Sequence, residues 1–157
     1  MKRKLMMALV LFAAPAGAQT LEGMAGDWTG SGTARQLPDS AQETMRCRLS
    51  NSFADDTLTI DGRCAVPGQQ FTLSGRLNEA ADGRLTGIWR NPTGPGQTSV
   101  TGTVADDAIF FTFRADDPDT GTDISQIVRM RIRGGQLSLR SEHRQSRQLM
   151  SEATFTR

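Results

Sequence analysis

From Trp28 to the carboxyl end, apolar side chains recur at every second position, and short clusters of Gly, Pro and Asp interrupt the pattern. A two-residue period sorts the side chains of an extended chain onto opposite faces, whereas a helix needs a 3.6-residue period, which no window of useful length shows. The chain therefore reads as all-β. Ten strands are expected, at 28–35, 44–53, 57–66, 69–77, 84–90, 98–104, 108–114, 124–133, 136–143 and 149–156. Short turns at Asp55-Asp56, Pro67-Gly68, Asp106-Asp107 and Gly134-Gly135 join some of them, and the longer connections 90–97 and 115–122 have the Gly, Pro and Asp content of surface loops. Only 21–26 reads as a helical turn.

The two cysteines of the chain, Cys47 and Cys64, bracket one of these turns. If Asp55-Asp56 is the tip of a hairpin, Cys47 and Cys64 stand directly opposite each other. The same register pairs Phe53 with Leu58, Asn51 with Ile60, Leu49 with Gly62 and Met45 with Val66, collecting the apolar residues on one face. A two-residue turn puts the cysteines at a non-hydrogen-bonded position close enough for a disulfide, while a four-residue turn inverts that parity, so the opposition carries the expectation and the pair type does not. The chain has no CxxC pair, and two thiols with one histidine make a poor zinc site. A cross-strand disulfide is expected.

Carried from turn to turn, the register sets Gly75 against Gly87, Gly87 against Gly102 and Gly102 against Phe111, with Leu73, Trp89, Val100 and Phe113 in a neighbouring row. Leu77, Leu85, Val104, Ile109 and Val128 form a third row. Across Gly134-Gly135, Ile132 faces Leu137, Met130 faces Leu139 and Gln126 faces His143. A meander with a single apolar face must hide that face in a sandwich or by closing on itself, and closure also removes the exposed edges. The expected fold is an antiparallel meander of about ten strands closed into a lipocalin-like barrel with one disulfide, strand 149–156 returning to strand 28–35.

The segment before the barrel has three basic residues (Lys2, Arg3, Lys4), an apolar run over 5–14, and small residues ending in Ala16-Gly17-Ala18. This is the layout of a secretory signal cut after Ala18, and the apolar run is too short for a membrane anchor. The expectation is an exported protein of a bacterial periplasm, with residues 1–18 as signal and 19–157 as one barrel domain. Without the signal, fifteen basic residues stand against seventeen acids. That balance argues against nucleic acid as a bulk electrostatic partner.

The first strand, with the glycine before it, reads Gly26-Asp27-Trp28-Thr29-Gly30-Ser31-Gly32, and the chain closes on Ala153-Thr154-Phe155-Thr156-Arg157. This G-x-W-x-G-x-G opening and this final strand resemble the two ends of calycin barrels, the lipocalin and nitrobindin-like group. The resemblance implies a tryptophan at the barrel floor beneath a late arginine, roles that fall to Trp28 and Arg157. In nitrobindin-like proteins a histidine in the last strand ligates haem; Met150-Ser151-Glu152-Ala153 carries none, so no cofactor is expected by that route.

His143 is the only histidine, so any Ser-His-Asp or Cys-His arrangement must be built around it. Its inward position near Gln126, Ser141 and Ser151 suits a hydrogen-bonded structural histidine, and no catalytic residue is assigned. The inward glycines Gly62, Gly75, Gly87 and Gly102 serve either sharp strand bending or space for a ligand beside Phe111, Trp89 and Ile60. Asn51 and Gln126 share that row with His143, so Asn51, Trp89, Phe111, Gln126 and His143 form the candidate ligand site. Outward-facing Arg129, Arg131, Arg133 and Arg140 make a basic stripe, either a solvated face balanced by neighbouring strands or a contact for an envelope protein or anionic surface. The loop acids Asp116, Asp117, Asp119 and Asp123 lack the spacing of an EF-hand, and no metal is assigned. The function expected is a non-enzymatic barrel that binds a small apolar or amphipathic molecule in its interior. The alternative is a protein-binding module, a periplasmic inhibitor or envelope-assembly factor, that uses the outer surface.

Overall fold

The computed structural model describes residues 16–90 and 96–157. A short helix, α1 (Ala16–Gly23), precedes ten strands: β1 (Gly26–Ala34), β2 (Glu43–Ala54), β3 (Thr57–Val66), β4 (Gln69–Glu79), β5 (Arg84–Arg90), β6 (Gln97–Ala105), β7 (Ala108–Phe113), β8 (Gln126–Arg133), β9 (Gln136–His143) and β10 (Leu149–Thr156). Each strand pairs antiparallel with the next, and β10 pairs with β1 through Gly30↔Phe155 and Gly32↔Ala153, so the meander is a closed barrel. Most of the signal expected at 1–18 lies outside the described residues, as does most of the loop between β5 and β6. Ala16-Gly17-Ala18, where the cut was expected, lies in the first turns of α1, which is longer than the single turn expected at 21–26.

Turn chemistry sets the hairpin at β2 and β3. Asp55 and Asp56 both adopt the left-handed conformation, with φ of 50° and 56°. That is the two-residue geometry matching strand twist, and short polar side chains tolerate it. Cys47 faces Cys64 with Cα atoms 4.1 Å apart, and the two form a disulfide. Gly134 and Gly135 make the equivalent turn between β8 and β9, giving the pairs Ile132↔Leu137, Met130↔Leu139 and Gln126↔His143.

The register differs from expectation around β5. Gly75 faces Trp89, Leu77 faces Gly87, Gly87 faces Val100 and Leu85 faces Gly102. The connection between β4 and β5 is wider than a tight turn: the Ala80 amide donates to Arg84 O at 2.8 Å, with Gly83 at positive φ inside the loop. Two-residue slips result there and between β5 and β6. A slip of two leaves every side chain on its own face, so inside and outside are unchanged while the neighbours are not. The third row breaks in the same way, because Ile109 faces Met130 and Val128 faces Phe111. The start of β8 moves from 124 to Gln126, since Ile124 and Ser125 bond back to Ala115 and close the preceding loop into a small hairpin.

The two barrel ends differ. At the end carrying the turns 55–56, 80–83, 106–107 and 134–135, α1 lies across the opening and touches β2, β3, β6 and β7. Its Leu21, and Met24 in the turn that follows it, are fully buried, in one core with Leu58, Leu77, Leu85, Ile109 and Met130. The other end carries the longer β1–β2 and β7–β8 connections and has no such plug among the described residues.

Candidate ligand-binding site

The plugged end is held by polar contacts to the backbone just before β1. Trp28 Nε1 and Asn51 Nδ2 both donate to Met24 O at 3.0 Å. The Arg157 guanidinium sits 4.6 Å over the Trp28 ring and donates to Gly23 O and Ala25 O at 3.3 and 3.1 Å. Trp28 and Arg157 thus stand in the relation that the resemblance implied. Cation and ring attract, and the guanidinium satisfies two carbonyls left open where α1 ends.

Toward the other end the interior opens into a hollow of about 110 Å³. Its wall holds Trp89, Phe113, Phe155, Leu139, Met45 and the Cys47–Cys64 disulfide, with Arg35, Glu43, Gln69 and Gln126 also bordering it. These wall residues are all at least nine-tenths buried. Met45, Cys47, Cys64, Trp89 and Phe113 are inward positions in the halves of their strands nearer the long loops, while Leu139 near the middle of β9 and Phe155 near the plugged end of β10 form the deeper part of the wall. Arg35 is tied down by its own loop, donating to Pro38 O and Ser40 O at 3.3 and 3.0 Å. Its Nε is buried and has no partner among the described residues.

Of the five residues expected at a ligand site, Trp89 and Gln126 line this hollow. Phe111 lies behind Trp89, with ring centroids 5.1 Å apart. Asn51 is at the plugged end. His143 is at the rim under the β7–β8 loop, its Nδ1 2.8 Å from Ser146 Oγ and its Nε2 3.5 Å from Asp123 Oδ2. The Ser146 amide also points at Nδ1, at 3.3 Å, which leaves the proton of a neutral ring on Nε2, facing Asp123. The loop is braced from within: Asp117 Oδ1 accepts from the amides of Asp119 and Thr120 and from Thr120 Oγ1. Hydrogen bonds from the backbone and side chain of Thr120, then the Asp119 amide, hold the Asp117 carboxyl below the ordinary carboxylate range. Burial pushes Asp123 upward, but the donors of Ser125 and the neighbouring His143 outweigh it, so its carboxyl is lowered too.

The inward glycines make room for protein atoms. A methyl group on Gly62 would meet Leu49 Cδ2 at 2.4 Å, and one on Gly75 would meet Trp89 Cε3 at 2.5 Å. Gly87 and Gly102 lie against the backbone carbonyls of Arg76 and Phe110. Met45 and Phe155 were not singled out as site residues, and Cys47 and Cys64 were expected as a disulfide and not as part of the ligand site, although the inward parity of all four was readable. For Met45 and the disulfide, proximity to the end with the long loops was the available signal; Phe155, near the plugged end of β10, offered none of that kind.

On the outer face Arg129 does face Arg140, and acids intervene. Arg140 bonds Glu142 and Glu152, each at 3.1 Å, and these contacts hold its charge firmly. Asp107 takes Arg131 at 2.9 Å and Arg133 at 3.8 Å. The Arg129 guanidinium lies 5.3 Å over the Phe110 ring.

Among solved structures, the chain is similar to Rv2717c from M. tuberculosis, with 21% sequence identity, a TM-score of 0.70, and coverage of 92% of this chain and 98% of that one. The likeness is one of fold, a calycin-like barrel. No family model and no curated protein matches the chain.

Proposed function

We propose that this protein is a non-enzymatic exported barrel that holds a small apolar or amphipathic molecule in the hollow at its open end. The supporting observation is the hollow itself, whose walls are largely aromatic, aliphatic, thioether and disulfide groups, with the Ser141 and Ser151 hydroxyls bonded to each other at 2.6 Å and Arg35, Gln69 and Gln126 among the other polar groups on its lining. Such a surface favours an apolar body and leaves a polar head to meet Arg35, Gln69 or Gln126. Size narrows the class. Sites for drug-sized ligands run to roughly 300 Å³ or more, while an apolar cavity of about 150 Å³ holds benzene. A hollow of about 110 Å³ suits one ring or a short alkyl chain. The buried disulfide and the basic, apolar and small-residue layout of the leader support an oxidising, extracytoplasmic setting.

Native mass spectrometry of protein purified from its own host should show a bound small molecule. Titration with an alkyl carboxylate or phenyl-bearing probe should change Trp89 fluorescence, and Met45→Trp, which fills the hollow, should abolish the response. Absence of both a co-purifying molecule and any probe response would sink the proposal.

A further inference from the structure

The outer wall formed by β10, β1, β2 and β3 carries an arginine cluster on a different part of the barrel from the β8 and β9 stripe. Arg46, Arg48 and Arg63 are exposed and border a shallow open groove with Thr29, Ser31 and Thr154. None of the three arginines makes an ion pair or side-chain hydrogen bond among the described residues. Arg48 and Arg63 are direct cross-strand partners, and Arg46 is two residues along from Arg48 on the same face. Two like charges set opposite each other on a sheet repel. The barrel meets the same problem at Arg129 and Arg140 and answers it with Glu142 and Glu152. In the groove no carboxylate answers it. Of the nearby acids, Asp27 accepts from Ser50 at 2.7 Å, Glu152 is held by Arg140, and the exposed Asp61 makes no ion pair with Arg48 or Arg63.

We infer that this groove is a second binding site, and that it takes an acidic oligosaccharide. Three arginines, with neighbouring backbone positions about 5.5–7 Å apart across and along the strands, present their guanidinium groups together on one face, as anionic groups on neighbouring sugar rings require. The threonine and serine hydroxyls between them supply partners for sugar hydroxyls. Other polyanions fit less well. No aromatic ring lines the groove to stack a nucleic acid base, and no large apolar side chain projects from it to enter a bilayer. The site is separate from the hollow, on the opposite side of the barrel wall.

The test is calorimetric titration of the full-length exported protein with a heparin-derived hexasaccharide, a galacturonate hexamer and the neutral control maltohexaose, at low and raised salt. The groove variant is R46Q/R48Q/R63Q. The control variant, R129Q/R133Q/R147Q, makes the same change of net charge on the other face. The inference expects at least one charged oligosaccharide to bind, salt to weaken it, maltohexaose not to bind, and the groove variant to lose about tenfold or more in affinity while the control stays within about twofold. The groove variant should melt no lower than the parent, because its arginines are exposed and their repulsion is relieved. Binding by neither charged oligosaccharide, or equal losses in both variants, would overturn it. So would binding to phosphatidylglycerol vesicles without binding to either charged oligosaccharide.

Discussion

Replacing both cysteines, as Cys47→Ala/Cys64→Ala, removes a cross-link without leaving a thiol in the interior. The two sulfurs close a loop with a sequence separation of 17. Opening a loop of that size in the unfolded chain is worth about 3 kcal/mol in the chain-entropy account. A void left by the lost sulfurs would ordinarily add to the loss, but here it merges with the hollow and that term stays small. The expected loss is therefore about 3 kcal/mol. With a urea slope of about 2 kcal/mol per molar, the midpoint falls by about 1.5 M, read from tryptophan emission and checked by circular dichroism for an unchanged barrel. The parent disulfide, with both cysteines 3% exposed, should resist reductant in native buffer and yield to it in denaturant. A loss below about 1 kcal/mol would refute the reasoning, because it would mean that the unfolded hairpin already brings the two positions together.

Two further outcomes test the seam and the rim. A methyl group on Gly32 would lie 1.8 Å from Glu152 O and 2.7 Å from Ala153 Cα, so Gly32→Ala must push β10 off β1. It should cost more than about 2 kcal/mol in thermal or urea unfolding, whereas Gly23→Ala, whose methyl meets Ile132 at an ordinary 3.6 Å, should be neutral or slightly stabilising. Equal effects would speak against closure at β1 and β10. Asp117 and Asp123 are lowered in the folded state, so the stability they add is present above about pH 4 and is lost as pH falls through their folded values. Melting curves of the parent and of Asp117→Ala/Asp123→Ala should therefore converge below about pH 4, and a gap that persists unchanged in acid would contradict the assignment.

Much of the barrel was legible in the chain because its causes are local. Alternation told inside from outside on the strands except at the start of β10, where a bulge between Leu149 and Ser151 buries Met150 against the pattern. Asp55-Asp56 and Gly134-Gly135 set the register of their hairpins, so the Cys47–Cys64 pair followed from turn chemistry alone. The slips flanking β5 were not legible, because a wide loop fixes register by its own hydrogen bonds, and a shift of two preserves the pattern being read. Those slips compound with strand tilt in a closed barrel, where a row followed across many strands climbs along the axis. Asn51 and His143, read as one row, accordingly lie at the plugged end and the open rim. Which end is open, and which arginines find a carboxylate, depend on strands far apart in the chain. Arg129 and Arg140 look as exposed in sequence as Arg48 and Arg63, yet Glu152 reaches the first pair only because β10 lies beside β9. Face and turn belong to neighbours in sequence, whereas the hollow and the charge balance belong to neighbours in space.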